Sequence, residues 1–123
     1  MVSKQTKNLN LFSIRLPLPA LVSILHRLSG VLLFLLMPFL TWAFCNSISS
    51  DLNFNKTALI LNAWPVIIIQ AFFIWALIHH LMAGLRHLLL DLQIGNDLIV
   101  ARFSSKTVLL ISFLLTAIVV YWV

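Results

Sequence analysis

Apolar residues are gathered into three long stretches that short polar segments separate. A bilayer has a hydrocarbon core about 30 Å thick, which roughly 20 helical residues cross. Lipid offers no partners for backbone N–H and C=O groups, so a spanning segment of this kind forms a helix. The pattern predicts an all-α integral membrane protein with three transmembrane helices in one domain. The predicted spans are about 21–47, 58–90 and 106–123.

The segments between these stretches are polar and predict connecting loops. Asn46–Lys56 is rich in serine and asparagine, and Gln93–Lys106 contains a Gly95-Asn96 pair that can end a helix or form a turn. Pro38 and Pro65 lie inside or at the edge of apolar stretches. Proline is tolerated in membrane helices, so neither residue removes a predicted span.

The composition supports a membrane protein and argues against a soluble one. The chain has 123 residues, of which 62% are hydrophobic and 9% charged, and a soluble domain this small cannot bury so much apolar surface. The net charge of +5 comes from cations at the ends of apolar stretches, so we expect no nucleic-acid partner. The single cysteine, Cys45, excludes an internal disulfide and a cysteine-built iron–sulfur or zinc site.

The distribution of lysine and arginine predicts the orientation. Cations accumulate on the cytoplasmic side of membrane proteins. Of the eight lysines and arginines, four lie before or at the start of the first span, and three lie between the apolar centres of the second and third spans. We therefore expect a cytoplasmic N-terminus. Residues 1–16 show neither a secretory nor a mitochondrial targeting pattern. This indicates a bacterial inner membrane, with a processed organellar form left open. The seven cations are Lys4, Lys7, Arg15, Arg27, Arg86, Arg102 and Lys106.

Four polar or small residues form a stripe on the second predicted helix. At about 100° per residue, His80, Gly84, His87 and Asp91 share one face, and His79 points roughly 100° away. Ionisable groups in a membrane helix are candidate functional groups. His80 could bind haem iron through a neutral imidazole, with Gly84 leaving room for a flat macrocycle. An interhelical hydrogen bond, a proton relay and another metal are the alternatives.

A second polar cluster opens the first predicted helix. Ser23 and Arg27 are one turn apart and share a face, and His26 adjoins the arginine. A hydroxyl and a guanidinium at the membrane edge could hold one carbonyl of a quinone, whose apolar tail lies in lipid. The alternative is a surface arginine that extends to the interface, with Ser23 bonded to its own backbone.

Together, the two clusters resemble the cytochrome b subunit of succinate dehydrogenase, the larger membrane anchor of respiratory complex II. The resemblance rests on Ser23–Gly30 (SILHRLSG) and on His80–Asp91 (HLMAGLRHLLLD), with the spacing between them, the chain length and the three spans. It covers nearly the whole chain. The segment Asn8–Pro17 is similar to the corresponding segment of gammaproteobacterial members.

This resemblance implies specific ligands and partners. It implies that His80 is an axial ligand of haem b, that Ser23 and Arg27 contact ubiquinone, and that His26 and Arg27 lie near the haem propionates. A smaller anchor subunit would supply the second axial histidine. Iron–sulfur and flavoprotein subunits would carry out succinate oxidation, so this chain is not expected to catalyse alone. His79 is an extra histidine beside the ligand position, and the stripe geometry and the spacing to Gly84 favour His80 as the ligand.

Two other functions stay open from the sequence. One is the anchor of a fumarate reductase, in which electrons flow the opposite way. The other is a small membrane scaffold or transporter subunit without a redox centre, in which the histidine stripe makes only interhelical hydrogen bonds. Roles for His87 and Asp91 are not assigned.

Overall fold

The computed structural model describes residues 16–122, which form four helices. These are α1 (Leu18–Ser47), α2 (Asp51–Leu61), α3 (Trp64–Asp91) and α4 (Leu98–Trp122). In the described part of the chain, α1, α3 and α4 are long and apolar enough to cross a membrane, whereas α2 has 11 residues. The predicted all-α membrane fold with three spanning helices is confirmed.

Some sequence-based expectations fall on residues outside the described range. The segment 8–15, which carries part of the family resemblance, is one of them. The last residue of the third predicted span, Val123, is another. The cations Lys4, Lys7 and Arg15, on which the orientation partly depends, also lie there.

The second long helix begins at Trp64, not at residue 58 as the apolar pattern indicated. Residue 58 belongs to α2, which also occupies part of the predicted 46–56 loop. Ser50 caps α2 by accepting a hydrogen bond from the Asn53 amide at 3.2 Å. Pro65 lies in the first turn of α3, where its missing N–H is not needed, and it prevents α2 and α3 from forming one continuous helix.

The last helix begins at Leu98, eight residues before the predicted start of the third span. The charged segment around Arg102 is therefore helical, since an apolar pattern marks only the part of a helix that suits lipid. The α3–α4 turn has Gln93 at φ 61° and Gly95 at φ 80°. The Ile94 amide donates to the Leu89 carbonyl at 2.9 Å, which closes the end of α3 in the manner of a Schellman motif.

The interior of the bundle is built mainly from small side chains. α3 packs between α1 and α4, and small residues let membrane helices approach closely. Two large polar side chains, His79 and Arg86, are also buried there. We call this buried set the seam. It consists of Val22 and Ser29 on α1, Ala76, His79, Ala83 and Arg86 on α3, and Ser105, Val108 and Ser112 on α4.

The outer surface of the bundle is strongly apolar. Phe34 on α1 is 75% exposed, and Ile99 on α4 is 83% exposed. Water would strongly disfavour such a surface, and lipid accommodates it without penalty. The chain is therefore a multi-pass membrane protein whose polar chemistry lies between its helices.

Candidate functional site

His80 lies on the face of α3 that meets α1. Its imidazole is partly buried and stacks on the ring of His26, with ring centroids 4.2 Å apart and planes 13° from parallel. Its Nδ1 atom is 3.1 Å from the Ser29 hydroxyl oxygen and 3.1 Å from the His26 carbonyl oxygen. The structure therefore joins the two polar clusters that the sequence placed on different helices.

These contacts favour one tautomer of His80. The Ser29 hydroxyl donates its single hydrogen to the His26 carbonyl at 2.8 Å, so it offers only lone pairs to the imidazole. A carbonyl oxygen can only accept. Because both neighbours of Nδ1 can accept, the contacts favour the tautomer with the proton on Nδ1, and in a neutral imidazole of that form Nε2 keeps its lone pair. Metal-bound histidines are commonly held in this way, with the second ring nitrogen donating to a carbonyl.

Gly30 gives the His80 ring its place against α1. A Cβ atom at position 30 would lie 3.0 Å from Cε1 of His80 and 3.5 Å from Nδ1. Because a separation of 3.0 Å is tighter than an ordinary contact, any larger residue would require the imidazole to shift by a few tenths of an ångström. Gly30 belongs to the motif on the first helix, but the sequence alone did not indicate that it would lie against His80.

Gly84 lies beside the His26 ring of α1. A Cβ atom there would lie 3.4 Å from Nε2 of His26, so the space beside Gly84 holds the His26 ring in this structure. The His26 ring also approaches His87, with centroids 5.1 Å apart. Three members of the predicted stripe, His80, Gly84 and His87, thus surround one residue of α1. The fourth, Asp91, is exposed.

His79, the extra histidine beside the predicted ligand position, lies inside the seam. Its side chain has no exposed surface and stacks on Trp75 at 5.3 Å. The Val22 backbone is near enough to interact with the imidazole, but neither ring nitrogen meets a partner in good hydrogen-bond geometry among the described residues. His80, by contrast, is partly exposed with Nε2 available. Of the two neighbouring histidines, His80 is the one that a large ligand outside the bundle can reach.

On α1, Ser23 lies about one turn before His26, and Arg27 directly follows His26. Ser23 is partly buried and Arg27 is exposed, and within the described part of the chain no hydrogen bond joins the two side chains. Arg27 is close enough to His87 for their charges to interact. The guanidinium is therefore available to a bound molecule at the edge of the histidine cluster.

Arg86 is a polar contact that sequence reasoning missed. It is only 6% exposed and donates from Nε to the Ser104 hydroxyl at 3.0 Å and from an Nη atom to the Ala101 carbonyl at 3.3 Å. Both acceptors belong to α4, so Arg86 fastens α3 to α4. The sequence showed only a cation near the end of an apolar stretch, and it gave no signal for its partners.

The His26, His80 and His87 rings do not form a metal site by themselves. In residues 16–122, no group of three or more histidine, cysteine or acidic side chains is arranged to hold a metal ion. A single imidazole with a free Nε2 suits a metal whose other ligands come from elsewhere, as in a haem. The residues present therefore fit one axial position of a haem.

Comparisons with known proteins agree with this chemistry. A profile of the family described as succinate dehydrogenase/fumarate reductase transmembrane subunit matches residues 1–119. The chain is similar to three proteins that are each named succinate dehydrogenase cytochrome b556 subunit. The one from Coxiella burnetii is 32% identical and covers all of this chain and 99% of its own length.

The other two relatives match shorter parts. The protein from Paracoccus denitrificans is 35% identical over 77% of this chain and 73% of its own length. The protein from Rickettsia bellii is 33% identical over 83% of this chain and 78% of its own length. The profile covers nearly every residue, and the Coxiella relative aligns from end to end. This chain belongs to the family of succinate dehydrogenase and fumarate reductase transmembrane subunits.

Proposed function

We propose that this chain is the haem- and quinone-binding anchor subunit of a bacterial succinate dehydrogenase in the inner membrane. One observation carries the proposal most directly. Nδ1 of His80 faces two acceptors, which leaves Nε2 as a free metal ligand on a partly exposed ring. The names of the three relatives and the family match support the same function.

In this proposal His80 would hold the iron of haem b through Nε2. When bound, the haem supplies a one-electron redox centre within the membrane. The Ser29 hydroxyl and the His26 carbonyl would accept hydrogen bonds from Nδ1–H and hold the ring plane. They also raise the electron-donating strength of the imidazole. As the family resemblance implies, a histidine of the smaller anchor subunit would supply the second ligand to the iron.

The cationic edge of the cluster is assigned to the propionates and the quinone. The His26 ring stacks on His80, and Arg27, which follows His26 in the sequence, is exposed. The side chains of His26 and Arg27 can therefore contact the haem propionates. Ser23 and Arg27 hold one ubiquinone carbonyl, and the guanidinium stabilises the negative charge that develops on that oxygen during reduction. Arginine does not release a proton at neutral pH, so the protons come by another route.

Succinate oxidation itself is assigned to partner subunits. This chain contains one cysteine, which cannot build an iron–sulfur cluster. A flavoprotein subunit and an iron–sulfur subunit would dock on the cytoplasmic side, where the cations are concentrated. This chain would then hold the last part of the electron-transfer path within the membrane, next to the quinone.

The family description also covers fumarate reductases, which run the reaction in the opposite direction. The three relatives are all named for succinate dehydrogenase, and we therefore assign quinone reduction as the direction. A scaffold without a redox centre is disfavoured. In a purely structural histidine, nothing requires Nε2 to stay without a partner while Nδ1 is held by two acceptors.

Purification of the membrane complex through a tag on this chain tests the proposal. We expect a b-type haem spectrum in the reduced-minus-oxidised difference, three co-purifying subunits by mass spectrometry, and succinate-dependent reduction of a ubiquinone analogue that quinone-site inhibitors block. A complex that contains the three partners but no haem would overturn the assignment of His80. Fumarate reduction by a quinol, without succinate oxidation, would instead establish the opposite direction.

A further inference from the structure

The seam contains one large side chain at the level of the proposed ligand, and that side chain is His79. It has no exposed surface and is the largest side chain that is fully buried in the described part of the chain. Ala76 lies almost one turn before it and Ala83 one turn after it on the same buried edge of α3, and both are also completely buried. Between these two alanines, the His79 ring is the large side chain that enters the seam.

The contribution of His79 to the seam is mainly its ring. The Val22 backbone lies near enough to interact with the imidazole, but neither nitrogen meets a partner in good hydrogen-bond geometry among the described residues. The ring stacks on Trp75 at 5.3 Å and 20°, and Trp75 stacks in turn on Phe113 of α4 at 5.5 Å and 29°. A continuous stack of three rings therefore links the buried edge of α3 to α4. Packing of this kind determines how far a helix can rotate about its axis.

The rotation of α3 decides where the next residue points. Successive helical residues are about 100° apart, so an α3 helix with His79 in the seam must direct His80 to one side. That side is α1, where Nδ1 of His80 meets Ser29 and the His26 carbonyl. Arg86 fastens the same edge of α3 to α4 seven residues later, but it lies about 10 Å along the axis from His79.

We propose that His79 is a positioning residue, whose buried ring fixes the rotation of α3 and thereby the direction of the His80 imidazole. Its importance for haem rests on the proposed function, whereas the rotation itself can be measured without haem. A ring of similar size without nitrogens should serve equally well. An alanine should leave a gap in the seam, into which α3 can turn.

Cross-linking in the membrane-embedded complex measures this rotation directly. Ser29→Cys on α1 is combined in turn with Leu77→Cys, His80→Cys or Ala83→Cys on α3, in a Cys45→Ser background. Positions 77 and 83 flank position 80 by about 60° on either side, and each lies about 4.5 Å from it along the helix axis, in opposite directions. The share of product from each pair, formed with a short bifunctional thiol reagent, reports the rotation and not the amount of protein.

With His79 present, we expect the 29–80 pair to give the dominant product. His79→Ala should remove that dominance and raise the share of one flanking pair, whereas His79→Phe should preserve the native pattern. Leu81→Ala is the matched control, because Leu81 adjoins His80 on the other side and is 57% exposed. It should leave the pattern unchanged. Loss of haem binding with Leu81→Ala is likewise not expected.

An unchanged pattern in His79→Ala would overturn the proposal, since the Arg86 contact would then suffice to hold the rotation. An equal change in His79→Phe and His79→Ala would also overturn it, since ring volume would not be the cause. In a second measurement, the otherwise native His79→Ala complex should show an altered haem absorption and electron paramagnetic resonance spectrum, and His79→Phe should restore it. A wild-type complex without haem would refute the proposed function but leave the cross-linking result valid.

Discussion

Nδ1 of His80 lies 3.1 Å from the backbone carbonyl oxygen of His26. The two residues are 54 positions apart in the chain and belong to the two motifs that carry the family resemblance. Because this acceptor is a backbone atom, it is present whatever side chain occupies position 26. The contact therefore ties the proposed iron ligand to the backbone of α1, and substitution of the His26 side chain should not release it.

Substitution of Ser29 tests the hydrogen bonds that hold the ligand. Ser29→Ala removes one of the two acceptors of the Nδ1 proton and leaves the His26 carbonyl in place. The imidazole becomes a weaker electron donor and stabilises ferric iron less. We expect the haem to remain bound and its midpoint potential to rise by an amount on the order of tens of millivolts. A redox titration of the purified complex measures the shift.

Ser47→Ala is the matched control for Ser29. The Ser47 hydroxyl makes the same type of bond to its own helix, donating to the Phe44 carbonyl at 2.8 Å, but at the far end of α1. Its removal should leave the potential unchanged. A Ser29→Ala complex with the native potential would contradict the proposed hydrogen bond between Nδ1 and Ser29.

The two glycines of the site should respond differently to alanine. Gly30→Ala places a Cβ atom 3.0 Å from Cε1 of His80 and must displace the ring, whereas Gly84→Ala brings its Cβ atom to an ordinary 3.4 Å from His26. We therefore expect Gly30→Ala to reduce haem content strongly and Gly84→Ala to reduce it little. Alanine favours a helix by about 1 kcal/mol over glycine, so a general loss of helix stability would not explain a defect. The ratio of haem, measured as the pyridine haemochrome, to flavin compares the two variants. A greater loss of haem in Gly84→Ala than in Gly30→Ala would show that the macrocycle itself needs the space at position 84.

Arg27 is expected to matter for quinone and not for succinate. Arg27→Ala should impair succinate-dependent ubiquinone reduction by about ten- to a hundredfold, if the charged hydrogen bond contributes about 1.5–3 kcal/mol. Succinate oxidation with a soluble electron acceptor should stay near the native rate. Arg102→Ala, which removes another exposed cation on α4, serves as the control and should preserve both rates. Equal loss of both activities in Arg27→Ala would indicate failed assembly.

Arg86 is expected to affect stability before activity. Arg86→Ala removes two hydrogen bonds from a charged donor to α4, and each such bond contributes about 1.5–3 kcal/mol. We expect a clearly lower melting temperature of the detergent-solubilised complex. Ser104→Ala should have a smaller effect, because the Ala101 carbonyl still accepts from Arg86. If Arg86→Ala melts at the native temperature, the contact with α4 does not stabilise the bundle.

The apolar pattern was sufficient to predict the number of long helices but not all of their ends. Hydropathy marks the residues that suit lipid, and helices continue beyond them, as α4 does through Arg102. The short helix α2 was missed because its capping by Ser50 and its termination before Pro65 are local features that hydropathy does not contain. Which residues of each helix lie inside the bilayer remains a prediction.

Helical periodicity also predicted most of the polar stripe on α3, and His80, Gly84 and His87 do share the face that meets α1. It could not predict the partners of His80, because the contacts to Ser29 and Gly30 depend on how two helices pack across a gap of 50 residues. For the same reason it did not show that His79 and Arg86 would be buried. A single-helix pattern does not indicate which of two neighbouring faces becomes the interior.

The most direct test of the central claim is the reduced-minus-oxidised spectrum of the purified complex with His80→Ala, compared with Leu81→Ala. Leu81 is the adjacent exposed residue, so its substitution controls for damage to the same turn of α3. We predict that His80→Ala loses or strongly alters the b-type haem bands while the partner subunits still co-purify, and that Leu81→Ala keeps the native spectrum. A native haem spectrum in His80→Ala would contradict the account.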